Sequence, residues 1–307
     1  MFVFESPGRV AFSVFGLDIM WYGVLIAAGI LLAFLIVYKR APRYHGISED
    51  RVFNWLILII IVALVGTRLY YVAFEWGYYS QHPLEIFDVR AGGLAIHGGL
   101  IAGCLITALL CKLYHEHFLN FVDLCFTAIP LGQAIGRWGN FFNSEAHGTP
   151  TNLPWGVIVD GQAVHPTFLY ESIWCLILFF ILLRVDNRRK FHGQTFFLYC
   201  ILYSVERFFV EGLRTDSLWV QLPWGEFRQA QVLSICAIVV AGILYVVFYR
   251  KAKAAGFPPV NSVYAAPVKE AGSEGAILSD RGDDHGDGFY GRYDAYDDED
   301  DEEDDES

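Results

Sequence analysis

The chain has 307 residues, of which 54% are hydrophobic and only 18% are charged, and its mean hydropathy is +0.36. This composition excludes a disordered chain, a disulfide scaffold and an ordinary soluble domain, in which about a quarter of the residues would be charged. The net charge of −12 comes from residues 254–307, which hold 17 Asp and Glu against three Lys and Arg. The sequence therefore predicts a nearly neutral integral membrane protein with a polyanionic tail.

Seven segments have the length and apolar character of membrane-spanning helices, which need about 20 mostly apolar residues. They are residues 19–38, 53–74, 94–113, 121–136, 167–185, 194–213 and 229–249. The first is expected to be retained, because residues 1–16 lack the basic region of a cleavable signal peptide. We therefore predict an all-α membrane protein with about seven transmembrane helices in residues 1–253.

The distribution of Lys and Arg predicts the orientation. Several Lys and Arg lie at the ends of the first, fifth and seventh segments and in the links after them, and Lys112 lies at the end of the third, whereas the alternate links contain no Lys. Since basic residues favour the cytoplasmic side, the N-terminus is predicted outside and the C-terminus in the cytoplasm. Residues 137–166 form the longest outside link and are expected to fold as a small extracytoplasmic cap. The acidic tail, residues 254–307, is expected to be disordered and cytoplasmic.

Two glycine-rich polar clusters lie near the predicted outer ends of segments three and four. An ionised side chain at bilayer depth costs about 2.5–3.5 kcal/mol, so polar groups placed there point to function. The first cluster, GGLAIHGGLIAG, presents His97 about one turn into its span, and the second, GQAIGRWGNFFNSEAHG, supplies Arg137, Asn140 and Glu145. A hydrogen-bonded packing histidine and a merely polar loop are the respective alternatives.

Two further clusters belong to segments five and six. HPTFLYE, residues 165–171, is explained in part as a helix start. YSVERFFVEGLR contains four residues that point the same way at 100° per residue, with Glu206 to one side: Tyr203, Arg207, Glu211 and Arg214. Glu211 can pair with Arg207, and the remaining arginine charge is expected to be available to an anion. A purely structural ion-pair network is the alternative.

Together the clusters predict an anion-binding centre near the outer leaflet, suited to a phospholipid phosphate because arginine offers a planar fork of donors. A lipid or anion transporter is the main alternative, although it would distribute charged groups through the membrane depth. A retinal-type photoreceptor would need a lysine in residues 229–249, and a rhomboid-type protease would need a Gly-x-Ser-Gly segment. The sequence contains neither feature.

The stretch GRWGNFFNSE, residues 136–145, resembles the signature of bacterial prolipoprotein diacylglyceryl transferases, and the other clusters occur in that family's order. The resemblance covers roughly residues 10–250. It implies a multi-pass enzyme of the bacterial plasma (inner) membrane with its active site near the outer leaflet. Such an enzyme transfers the diacylglyceryl group of phosphatidylglycerol to the lipobox cysteine of a prolipoprotein, forming a thioether and releasing glycerol 1-phosphate. No metal or organic cofactor and no nucleic acid is implied.

The resemblance also assigns residues. Those with catalytic roles would be His97, Arg137, Arg207 and Tyr203. Those that bind substrate would be Arg137, Asn140, Glu145, Tyr22, Glu211 and Arg214. His97 would activate the thiol as a base, and the arginines would hold the negative charge of the departing phosphate. We expect the arginines to matter more, since a cluster of guanidinium groups can itself favour the thiolate.

Overall fold

The computed structural model describes residues 4–88, 92–223, 225–257 and 260. In these residues a long helix occupies each of the seven predicted positions. The long helices are α1 (Trp21–Arg40), α2 (Glu49–Phe74), α4 (Ile96–Leu113), α5 (Phe118–Asn143), α6 (Thr167–Asp186), α7 (Gln194–Leu213) and α8 (Gln229–Ala254). All except α7 are long and apolar enough to cross a membrane. The chain is thus a mostly helical protein with six candidate membrane-spanning helices.

The helix α5 is longer than predicted, because it begins before residue 121 and continues past residue 136 to Asn143. Its last two turns are polar, which is why a hydropathy criterion ends the segment too early. These turns contact both α6 and the following link. The Trp138 indole N–H donates to Ser172 Oγ of α6 at 3.2 Å, and the Asn140 and Asn143 amides donate to Glu145. The link that was predicted to begin at residue 137 therefore begins at Ser144, which ends α5 in the left-handed conformation.

The shorter elements lie in the links between the long helices. A π-helical segment (Ala41–His45) follows α1, and α3 (Trp76–Tyr79) and a 3₁₀ segment (Pro83–Phe87) follow α2. The strands are β1 (Phe4–Glu5), β2 (Val10–Val14), β3 (Leu17–Met20), β4 (Val157–Val159), β5 (Gln162–Val164), β6 (Trp219–Leu222) and β7 (Gly225–Arg228). The pairs β2–β3, β4–β5 and β6–β7 are antiparallel, and β1 joins β4 in parallel. Residues of the predicted cap thus contribute two strands of a small three-stranded sheet, whose third strand is β1.

Close helix packing depends on glycine at two crossings. Where α1 crosses α5, a Cβ added to Gly29 would lie 3.0 Å from the carbonyl oxygen of Gly132. Where α2 crosses α4, a Cβ on Gly98 would lie 2.2 Å from the carbonyl oxygen of Gly66. Since only hydrogen fits at such distances, a larger residue would separate the helices. The helix α5 packs against α1, α6 and α7, and it is the most buried of the candidate spans.

Successive long helices alternate in direction, so α1, α4, α6 and α8 begin at the end of the bundle where α2, α5 and α7 finish. We call this the site end. At the opposite end the fully buried Asp186 carboxylate contacts Arg40 at 2.5 Å, His45 at 3.1 Å and Arg189 at 3.1 Å. This network ties α1 to α6 and was not predicted. Apart from residues 254–257 and 260, the acidic tail lies outside the described residues.

Candidate active site

A single buried carboxylate joins three arginines at the site end. Glu171 lies in the second turn of α6 and is 1% exposed. Its carboxylate contacts Arg137 of α5 (Nε–Oε2, 2.5 Å), Arg207 of α7 (Nη1–Oε1, 3.4 Å) and Arg214 just after α7 (Nη1–Oε1, 3.7 Å). We call Arg137, Arg207, Arg214 and Glu171 the arginine cluster. It brings the second, third and fourth sequence clusters together.

The predicted polar face of α7 is turned toward this cluster. Arg207 and Glu211 form the expected ion pair at 2.6 Å. The Tyr203 hydroxyl, one turn earlier, accepts a hydrogen bond from Arg137 Nη2 at 3.2 Å. Arg214 completes the face through its contact with Glu171. The 100° periodicity therefore placed Tyr203, Arg207 and Glu211 correctly on one side of α7, whereas Arg214 lies just after the helix in an extended conformation.

The expectation that arginine charge remains unpaired is wrong. Arg214 donates to both carboxylate oxygens of Asp216, at 2.9 and 2.6 Å, and this hydrogen bonding lowers the pKa of Asp216 in the link after α7. Three arginines thus face three carboxylates, Glu171, Glu211 and Asp216. The error arose because Glu171 is supplied by another helix, which the spacing within α7 does not reveal. Arg137 and Arg207 nevertheless remain 23% and 21% exposed, and each guanidinium carries five N–H donors.

The last turn of α5 places three further predicted residues beside the cluster. The side-chain amide of Asn140 donates to Glu145 Oε1 at 3.0 Å, and that of Asn143 donates to the same oxygen at 3.2 Å. Tyr22 of α1 lies against Gly139, where an added Cβ would be 2.4 Å from its ring. Asn140 and Glu145 also line a small cavity. Tyr22, Asn140 and Glu145 therefore lie at the same helix end as Arg137.

His97 has a different setting from the other predicted residues. The helix α4 begins at Ile96, so His97 is its second residue, rather than one turn inside as predicted. The imidazole is exposed and lies 6.2 Å from the ring of Tyr70 on α2. Among the described residues no ion pair, hydrogen bond or ring contact joins His97 to the arginine cluster. Its role in thiol activation stays a prediction.

Comparison with known proteins identifies the family. The profile of the prolipoprotein diacylglyceryl transferase family matches residues 9–248. The chain belongs to this family. The phosphatidylglycerol–prolipoprotein diacylglyceryl transferase of Finegoldia magna is 51% identical over 244 residues, covering 79% of this chain and 96% of the relative. That of Clostridioides difficile is 51% identical over 245 residues (80% and 97%). That of Chloroflexus aggregans is 39% identical over 300 residues (87% and 98%).

Two carboxylic acids of the site received no role from the sequence. Glu171 belongs to the HPTFLYE motif, and an acidic residue in the second turn of an otherwise apolar helix was the available signal. Helical periodicity put Glu206 only to one side of the polar face of α7. In the structure it is 7% exposed and interacts electrostatically with Arg137, Arg207 and Glu171. Within the part of the chain that the structure describes, no three His, Cys, Asp or Glu side chains are placed to hold a metal ion.

Proposed function

We propose that this chain is the transferase that moves the diacylglyceryl group of phosphatidylglycerol onto the cysteine thiol of prolipoproteins, the first step of bacterial lipoprotein maturation. The observation that carries the proposal is the convergence of Arg137, Arg207 and Arg214 on one buried carboxylate at the end of an apolar helical bundle. An arginine cluster at that position can bind a phosphate whose acyl chains stay in lipid. Family membership supplies the identity of the two substrates.

The reaction is a displacement at the glycerol carbon that carries the phosphate. The cysteine sulfur forms a bond to this carbon, the carbon–oxygen bond breaks, and its electron pair leaves on the phosphate oxygen of glycerol 1-phosphate. Negative charge therefore grows on the phosphate in the transition state. Arg137 and Arg207, which are partly exposed, would donate to that oxygen. One well-placed donor of this kind contributes about 3–4 kcal/mol to lowering the barrier.

The other residues would position this centre or bind substrate. Glu171 fixes the three guanidinium groups relative to one another, Tyr203 supports Arg137, and Glu211 orients Arg207. The remaining residues proposed to bind substrate are Tyr22, Asn140, Glu145 and Arg214. His97 keeps its proposed part in thiol activation, although its contacts place it beside α2. A His97→Asn variant with unchanged turnover would remove it from the catalytic residues.

We further propose that α7 crosses the inner membrane together with the six apolar helices. Its three charged residues, Glu206, Arg207 and Glu211, lie near α5 and α6 and would not need to face lipid. The N-terminus would lie outside and the arginine cluster at the outer leaflet, with residues 144–166 as part of a cap. Support comes from lysine: all five described lysines, residues 39, 112, 190, 251 and 253, lie at the opposite end of the bundle. That end is therefore the expected cytoplasmic side.

The direct test is a mass spectrum of a lipobox peptide after incubation with the purified protein and phosphatidylglycerol. We expect a diacylglyceryl mass on the cysteine and the release of glycerol phosphate. An unmodified peptide, with the protein folded and lipid present, would overturn the proposal. The arginine cluster would then be a lipid-binding site without chemistry.

A further inference from the structure

One buried carboxylic acid of the site end has no partner. Glu206 of α7 is 7% exposed, and neither of its oxygens has a hydrogen-bond partner among the described residues. Glu171 and Glu211 are equally buried, but both contact arginines at short distance. Because an unpartnered buried carboxyl is unfavourable, such a group in a folded protein calls for a functional explanation.

Glu206 lies beside the groups that would hold the phosphate. The charged groups that act on it come from each helix packed there: Arg137 from α5, Glu171 from α6 and Arg207 from its own helix. The thiol of Cys175, which is fully buried one turn after Glu171 on α6, also interacts electrostatically with Glu206. Glu206 precedes Arg207 in α7, is influenced by the charges of the arginine cluster, and is shielded from bulk water.

We propose that Glu206, in place of the His97 that the resemblance suggests, accepts the proton of the prolipoprotein thiol, an inference that rests on the proposed function. A thiol S–H can donate only to an acceptor that is free. The Glu171 oxygens contact three guanidinium groups and the Glu211 carboxylate contacts Arg207, whereas both buried oxygens of Glu206 have no hydrogen-bond partner among the described residues. His97 has no hydrogen bond or ion pair within the described part of the chain, but its ring contact is with Tyr70 of α2 rather than with α5, α6 or α7.

The proton and the electrons balance in this step. The thiol proton moves to the Glu206 carboxylate as the sulfur–carbon bond forms, and the carbon–oxygen bond breaks with its electron pair on the phosphate. The departing phosphate monoester is more basic than the diester from which it came. It can take the proton from Glu206 and leave with it, which restores the carboxylate for the next turnover.

The variant Glu206→Gln keeps the size of the side chain but cannot accept the proton. At pH 7 we expect kcat to fall by about 10² or more, the usual contribution of a general base. The KM for phosphatidylglycerol should not change, because the phosphate is held by the arginines. The deficit should shrink as the pH rises toward about 8.5, where the peptide thiol ionises without help.

A selenocysteine peptide separates a proton acceptor from a structural residue, because its selenol is already ionised at neutral pH. In Glu206→Gln we expect cysteine peptide transfer to fall about a hundredfold and selenocysteine peptide transfer to stay within threefold of the wild type. This ratio does not depend on how much of the variant is folded. Glu206→Asp, which retains a carboxylate, should recover part of the cysteine rate. Glu226→Gln, an exposed carboxylate on β7 bonded to Gln221, is the matched control.

Two outcomes overturn the assignment while leaving the transferase activity intact. Either the Glu206→Gln variant transfers to the cysteine peptide within threefold of the wild-type rate, or it loses both peptides equally. Absence of transfer by the wild-type chain would instead contradict the proposed function itself. The two failures are therefore distinguishable in one set of assays.

Discussion

Glu171→Gln tests whether one carboxylate holds the arginine cluster together. Removing one partner of a buried ion pair costs about 3–5 kcal/mol, because the remaining charge is left buried and unpaired. The side chains of Arg137, Arg207 and Arg214 are 23%, 21% and 12% exposed, so water relieves part of this penalty. We therefore expect the free energy of unfolding to fall by about 3 kcal/mol, the lower end of that range. For a chain of this size that corresponds to a fall in Tm of roughly 6–12 °C.

The assay is thermal unfolding of the purified protein in one detergent at pH 7, followed by tryptophan fluorescence. Glu226→Gln makes the same chemical change at an exposed position of β7 and should leave Tm within about 2 °C of the wild type. The transfer rate of Glu171→Gln should fall by about 10², since misplacing a phosphate-binding group by about 1 Å costs that much. A Tm equal to that of the control, together with normal turnover, would refute the role of Glu171.

Three other predictions address the arginines proposed to bind the phosphate, the half-buried His192 and the acidic tail. Arg137→Ala and Arg207→Ala should each reduce the transfer rate by at least about 10² while the protein still inserts into the membrane. Normal turnover in either variant would contradict the proposal that these arginines bind the phosphate. Burial lowers the pKa of His192, in the link before α7, to about 3. The folded chain then binds fewer protons than the unfolded chain between pH 6.5 and 3, so stability falls as the pH falls. The Tm of His192→Phe should fall less between pH 7 and pH 5 than the Tm of the wild type. An equal fall would refute the contribution of His192 to the pH dependence of stability. Removing residues 261–307 should leave transfer within twofold, whereas a tenfold loss would show that the tail acts on the site.

The positions of the long helices could be predicted because apolar length is a local property. A long helix appears at each of the seven predicted segments, although only six of these helices qualify as candidate membrane spans. The main error in bounds, at α5, occurred where the sequence becomes polar while the helix continues to Asn143. Hydropathy measures compatibility with lipid, whereas the end of α5 is partly buried against protein, where Arg137 contacts Glu171. The same reasoning explains why α7 fails a hydropathy criterion although it has the length of a span.

The candidate site was predictable within each helix but not between helices. Helical periodicity placed Tyr203, Arg207 and Glu211 on one face, and the ion pair between the last two is present. Glu171 is the common partner of arginines from α5 and from α7 because α6 packs against both helices at a particular height along the bundle. No spacing in the sequence encodes that height. The open carboxyl of Glu206 has the same origin, since its neighbours come from α5 and α6. A charge count along one helix therefore left positive charge for the phosphate. In the structure the three arginines of the cluster are balanced by the carboxylates of Glu171, Glu211 and Asp216, before Glu206 is counted. Phosphate binding must then rely on free N–H donors of Arg137 and Arg207 rather than on surplus charge, which is why replacing either arginine should matter more than changing the ionic strength.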